Sequence, residues 1–521
     1  MKNKLILIFI VLFSVSNVMA STPRLIVNIV MGSMRAEDLE RYAENFTQGG
    51  LRRLMDGGCT FANSRYDYQQ TTTPVALATL STGAMPSTHG VVGAHWVDYT
   101  TNKTVGLIQG SDEALSPNLI APTLAETLIR HKQGSRAVTI ATDPLSAMVF
   151  SGRSGGECYW LNERSLWATS SLYCAELPDW IRHINRENYN RSYTAHPWRT
   201  LLDQNRYQNT LHYDIELSGK RSKKKEQDKP TARLKLESDY DRLCYTPAGN
   251  TALFGFAKQA IAQCQLGQDP QTDLLNICLD PARYINEAYG AESVETEDMY
   301  YCLDRDLADF LTFVFAQVKN QEVVVVFTAS HGISPSYEDP KVQNRFNSRQ
   351  FEVIVNGFLN VRYGTGEWVI ACQNKSLWLN HNLIYERGLN LEEVQNEVAI
   401  FAMQFSGVSH ALAASAMRAS YFGSGYARKL QNSFYPRRSG DVILNLMPGW
   451  IEDSPRCVAK SGSMYGYDTH VPLIFYGHGI AQMRIGHKVD LTSIAPTLAH
   501  IAGITEPAAS EGEVLSEIID L

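Results

Sequence analysis

The chain has 521 residues, is 44% apolar and carries a formal net charge of −7. That apolar share can bury a large core, and the mild acidity gives no electrostatic reason to expect nucleic acid or an anionic membrane as a partner. Nine cysteines with no CxxC or Cys/His spacing exclude a zinc-finger-type site, and an odd count leaves at least one thiol unpaired.

Residues 1–20 read as a secretory signal: Lys2 and Lys4, an apolar run over 5–13, then Val18-Met19-Ala20 before Ser21. Cleavage after Ala20 predicts an exported, periplasmic chain and takes the charge from −7 to −9, since two lysines and no acid are lost. A retained anchor is the alternative. No later run approaches about twenty apolar residues, so no membrane span is expected in the mature chain. Residues 24–31 (RLIVNIVM) are continuously apolar and β-branched, as in a parallel strand buried on both faces. A helical stretch is expected over 36–57, and another over 119–131. A second strand reads over 136–142.

From 151 to about 267 the rhythm breaks into an aromatic, irregular insertion, in which Cys158 and Cys174 flank a short loop and could pair. The basic run 219–229 (GKRSKKKEQDK) reads as a solvated loop. Strands at 273–279 and 322–328 flank a helix at 296–319, and Cys278 and Cys302 within these patterns read as buried thiols. A second insertion runs over about 338–461, with strand-like FEVIVNGFL, EWVIAC and SLWLN and a helix over 391–405. A strand at 471–476 and a helix at 493–501 close the chain. Strand alternating with helix predicts an α/β fold: one mainly parallel sheet with helices on both faces, plus a cap built from the two insertions.

Several motifs, in this order, resemble the alkaline phosphatase superfamily, in particular exported bacterial alkaline phosphatases related to type I phosphodiesterase–nucleotide pyrophosphatases. They are MGSMRAEDLERY, QTTTPVALATLSTGAMPSTHGVVGAHW, FTASHGISP, YDTHVPLIFYG and IAPTLAHIAGI. The resemblance implies two zinc ions about 4 Å apart, held by carboxylates and imidazoles. It places the nucleophile at Thr73 and metal ligands at His331 and His470. At the other positions this chain departs from the pattern. Gly32 and Ser330 stand where zinc-binding Asp residues are expected. Arg283 and Glu287 stand where an Asp-x-x-x-His pair is expected. Asp280 could serve only if the alignment slipped by three residues. Ala94 replaces an Asn that would donate to a phosphoryl oxygen, while Asp143 and Leu145 replace a phosphate-gripping Lys and Arg. A carboxylate at 143 would repel a phosphate dianion.

Each retained residue also has a plain reading. Thr73 precedes a proline and can start a helix; His331 and His470 border buried strands and can be packed imidazoles. His89 is a packing position in the family, and nothing in the spacing makes Lys132 or Arg153 a substitute phosphate clamp. The coordinated departures point to a pseudoenzyme that acts by binding an unknown protein or small molecule. On that reading zinc is absent, or at most one ion is weakly held by His331, His470 and Glu287. The alternative is an active phosphomonoesterase or phosphodiesterase with a rearranged metal site, Thr73 as nucleophile and a phosphate ester as substrate. A sulfatase-like enzyme is disfavoured because Thr73-Pro74-Val75-Ala76 stands in place of a Cys-x-Pro-x-Arg element.

Overall fold

The computed structural model describes residues 22–111, 114–209, 236–336, 344–454 and 457–518. The signal-like stretch 1–20 and the basic run 219–229 therefore lie outside the described residues. A nine-stranded sheet forms the centre. Its strands lie side by side as Trp167–Ala168, Glu157–Leu161, Ala137–Ile140, Asp273–Leu279, Leu25–Met31, Val323–Ala329, Leu473–Gly477, Cys59–Phe61 and Met483–Ile485. Leu25 pairs with both Asp273 and Val323 in parallel register, and all three of these seven-residue strands are wholly buried. Helices cover both faces, which is why the strands are apolar without alternation.

The sheet is mainly parallel, as expected, with two reversals: the edge strand Trp167–Ala168 runs antiparallel to Glu157–Leu161, and a second reversal lies on the other side. Leu473–Gly477 enters antiparallel to Val323–Ala329, and Cys59–Phe61 pairs antiparallel to it in turn. Among the described residues no helix is long and apolar enough to cross a membrane.

Two expected elements came out differently. The helical stretch over 36–57 is broken into Ala36–Arg41, a single turn at Ala43–Asn45 and Leu51–Gly57. The break is built by Asp304, whose carboxylate accepts from Thr47 N–H at 2.7 Å and Leu51 N–H at 2.6 Å. A Cβ on Gly50 would stand 2.2 Å from Asp304 Oδ1, so the carboxylate approaches only because that residue is glycine. The segment FEVIVNGFL is helix, not strand, within Ser348–Tyr363. Phe351, Val355 and Leu359 are the buried residues there, and their spacing of four is helical.

Residues 157–161 and 167–168 add two strands to the main sheet, and the Ala248–Gln263 helix packs Leu253 and Phe254 into the same core. The chain from 344 to 454 instead carries its own four-stranded sheet, ordered Val369–Gln373, Ser376–Leu379, Val442–Leu446 and Val408–Ala413, over a separate core that includes Phe351, Trp368 and Leu444. All nine cysteines are free thiols; Cys158 and Cys174 are not joined, and Cys174 Sγ donates to the Glu176 carbonyl. Cys278 and Cys302 are buried.

Candidate functional site

Because the central strands run parallel, their carboxyl ends share one edge, where open α/β sheets place their sites. Gly32, Asp280 and Ser330 each follow directly on one of these strands. Asp143 lies just past the end of Ala137–Ile140 and caps the Pro144–Ser151 helix by accepting from Ser146 N–H at 2.9 Å.

Thr73 is the first residue of the Thr73–Thr82 helix, with Pro74 in the first turn and Thr72 at the cap. Its Oγ1 lies 3.0 Å from His331 Nε2, and His331 Nδ1 lies 2.6 Å from the Gly332 carbonyl oxygen. The carbonyl can only accept, so Nδ1 carries the proton and Nε2 accepts from the Thr73 hydroxyl. Burial drives the His331 pKa down to about 3, and the nearby Arg283 charge pushes the same way. The imidazole is therefore neutral at physiological pH. Both partners are buried.

The next feature is a guanidinium among carboxylates. Arg283, on the Pro281–Tyr289 helix, lies 3.5 Å from Asp143 Oδ2 and stacks 4.1 Å over the Tyr284 ring. Burial opposes its charge, but Tyr284, Glu287, Asp143 and Asp280 more than offset that and hold it protonated. Asp280 is fully buried, accepting from Thr142 N–H at 2.9 Å and Ser146 Oγ–H at 2.7 Å. Burial first and the neighbouring Asp143 second raise its pKa to about 7, with Arg283 acting against them.

The remaining candidates are spread around this pair of clusters. Ser330 Oγ is committed to the Gly32 carbonyl at 2.6 Å, and Gly32 has no side chain to offer. A Cβ at Gly32 would meet Asp280 Cα and O at 3.0 Å, closer than such contacts normally stand. Glu287 Oε2 faces Cys457 Sγ at 3.9 Å, while its backbone carbonyl accepts from Val458 N–H. His470 Nε2 bonds the Ala62 carbonyl at 3.0 Å, and its ring shares no hydrogen-bond partner with His331. Ala94 presents a methyl group, and Leu145 packs against the main core. The structure thus joins Thr73 to His331 and gathers Asp143, Asp280 and Glu287 about Arg283, while His470 engages a different loop. Lys132 bonds Thr272 and Ala502, and Arg153 bonds Pro117, so neither is free to act as a clamp. His89 is a packed imidazole bonded to Thr79 and Val91.

Among the described residues no three His, Cys, Asp or Glu side chains come together in a way that could hold a metal ion. At three positions where the resemblance implies carboxylate ligands, Gly32 has no side chain, Ser330 Oγ donates to the Gly32 carbonyl, and Arg283 lies beside Asp143. Asp280 enters the motif comparison only through a three-residue slip, and one further residue at this edge escapes that comparison altogether. Asp468, two residues before His470, is fully buried with a pKa raised to about 7 by burial, and its backbone carbonyl accepts from Gly332 N–H at 2.8 Å.

The chain is similar to known proteins in both sequence and fold. The sequence profile of "Type I phosphodiesterase / nucleotide pyrophosphatase" matches residues 26–468. The chain is 27% identical to alkaline phosphatase PafA of Elizabethkingia meningoseptica, over 95% of this chain and 94% of that protein. It is 25% identical to alkaline phosphatase PhoV of Synechococcus elongatus, over 95% and 93%. Its structure superposes on the crystal structure of wild-type PafA with a TM-score of 0.86, at 26% identity, covering 96% of this chain and 99% of that one. The profile spans most of the chain and the fold agrees along nearly its whole length, so this protein belongs to the type I phosphodiesterase / nucleotide pyrophosphatase family, within the alkaline phosphatase superfamily.

Proposed function

We propose that this chain keeps the family fold without two-metal hydrolysis and acts as an exported binding protein. The observation that carries the reading is the Arg283 guanidinium standing among Asp143, Asp280 and Glu287. A protonated guanidinium offsets part of their negative charge and itself repels a divalent cation brought to the same place. With Gly32 and Ser330 beside it, two ions would lack the ligand charge that compensates them. The Thr73 hydroxyl then has only His331 to activate it, and an imidazole with a pKa of about 3 is a weak base at neutral pH. Asp143 further opposes a phosphate dianion. The signal-like residues 1–20 support export.

A second reading has two observations in its favour. The hydrogen bond from Thr73 to His331 has the geometry of a nucleophile and its base, and the relatives are named as alkaline phosphatases. One experiment separates the two. Elemental analysis of the purified mature protein should find fewer than two tightly bound zinc ions per chain. Hydrolysis of an aryl phosphate monoester or diester should run no faster than in the Thr73→Ala variant. Stoichiometric two-zinc binding with Thr73-dependent turnover would instead establish the enzyme.

A further inference from the structure

A cavity of about 640 Å³ opens between residues 193–199, the Asp239–Tyr245 helix, the start of the Ala248–Gln263 helix, and the side chains of Tyr289 and Arg305. That volume lies in the range of small-molecule sites, roughly 300–1,000 Å³. Its described lining includes Arg199, Arg242, Arg305 and His196 and contains no carboxylate, in a chain whose net charge is −7. Two of the arginines have polar neighbours of their own. Arg305 is paired with Asp306 at 2.8 Å, and Arg242 lies 3.4 Å from the Thr194 carbonyl and 3.9 Å from Asp239.

The same cavity has an aromatic wall. Trp198 and Tyr289 meet edge to face at 6.1 Å, and the Trp198 indole is fixed by donating to Asp298 Oδ2 at 2.7 Å. A fixed ring offers stacking area at little entropic cost, and a planar guanidinium matches the oxygens of a phosphoryl group or carboxylate. We infer that this cavity is a binding site for an anion that carries a planar ring, an aryl phosphate, phosphonate or carboxylate. Its described lining shares no residue with the Thr73–His331 pair or with the group about Arg283. The inference does not depend on whether Thr73 is catalytic.

Isothermal titration of the full mature chain with phenylphosphonate, which cannot be hydrolysed at a phosphoester bond, tests it. Saturable binding is expected with a Kd at or below about 1 mM. Methylphosphonate, lacking the ring, and benzyl alcohol, lacking the charge, should each bind at least about tenfold more weakly. The Arg242→Met/Arg305→Met double variant, which alters two solvent-exposed arginines, should lose the same factor while melting at the parent temperature. Tyr193→Ala, at the rim, should weaken binding without changing charge. Benzoate binding as tightly as phenylphosphonate assigns the site to aryl anions generally, and a tenfold preference for the phosphonate assigns it to aryl phosphoryl groups. No saturable binding, or binding that survives the double variant but is lost in Arg283→Met, overturns the inference.

Discussion

Arg283 and His331 set the electrostatic character of the sheet edge, and each makes a measurable prediction. A buried acid whose pKa is raised above its unfolded value loses stability as pH climbs from about 4 through the folded value. For Asp280 that window ends near 7. Removing the guanidinium should raise the Asp280 pKa further and widen the window. Arg283→Met should therefore cost roughly 3 kcal/mol at pH 8.5 and much less at pH 5.5, where Asp280 is largely protonated. Thermal melts at the two pH values check this; equal losses would mean that Arg283 acts through packing alone. His331 works in the opposite sense. Its folded pKa of about 3 lies below the unfolded 6.5, so the unfolded chain takes up a proton first and stability falls as pH drops through that interval. The slope is roughly 1.4 kcal/mol per pH unit. His331→Asn should show a shallower decline in melting temperature between pH 6.5 and 4.5 than the parent; an unchanged slope would place the titration elsewhere. At this scale the sequence shows only that Gly32, Arg283 and Ser330 offer no carboxylate. It does not show what surrounds them. That Arg283 turns toward Asp143 and Asp280, and that Glu287 faces Cys457, depends on side-chain directions fixed by neighbours far away in sequence.

The secondary elements were legible where the pattern was local. The strands at 25–31, 273–279 and 323–329 announce themselves by apolar runs broken only by Asn28, Asp273, Asn276 and Thr328. The break after Arg41 does not, because its cause is Asp304, more than 250 residues further along the chain. Propensity alone therefore ran one helix through a corner that a remote carboxylate imposes. Asp304→Ala should leave the buried Leu51 N–H and the part-buried Thr47 N–H without an acceptor and cost roughly 2–4 kcal/mol. Denaturant titration reads the loss, and amide exchange should localise it to Thr47 and Leu51. The segment FEVIVNGFL misleads for another reason: its β-branched residues favour a strand, whereas burial selects every fourth side chain, and tertiary packing overrides the propensity.

For the whole molecule the main question is how the 344–454 lobe is fixed to the central sheet. Arg438 spans the two. It donates to the Gly90 carbonyl at 2.8 Å and to the Asn118 carbonyl and side chain at 2.9 Å, and it lies 4.4 Å over the Trp96 ring. Asp441 adds a second tie, accepting from Tyr99 on the sheet side and from His381, Gln395 and Leu379 N–H within the lobe. Arg438→Met should cost roughly 3 kcal/mol and speed proteolysis between the lobe and the central sheet, while the Thr73–His331 contact persists. Limited digestion followed by mass spectrometry checks it; cleavage confined to the 151–209 region would point to a different junction. The α/β class and the parallel sheet could be read from strand–helix alternation. The lobe's separate core could not, because its helix Ser348–Tyr363 and its strands look alike in composition and only pairing tells them apart.

The thiols have a practical consequence. Seven of the nine are buried, and only Cys174 and Cys457 are half-buried. A thiol-reactive dye added to the native protein should label those two and reach the other seven only as the molecule opens, so labelling kinetics become an intrinsic unfolding clock. Burial and the neighbouring Glu287 push the Cys457 thiol above its usual range, which slows its reaction at neutral pH. Cys457 faces Glu287, which neighbours Arg283, so its labelling rate should also change in Arg283→Met.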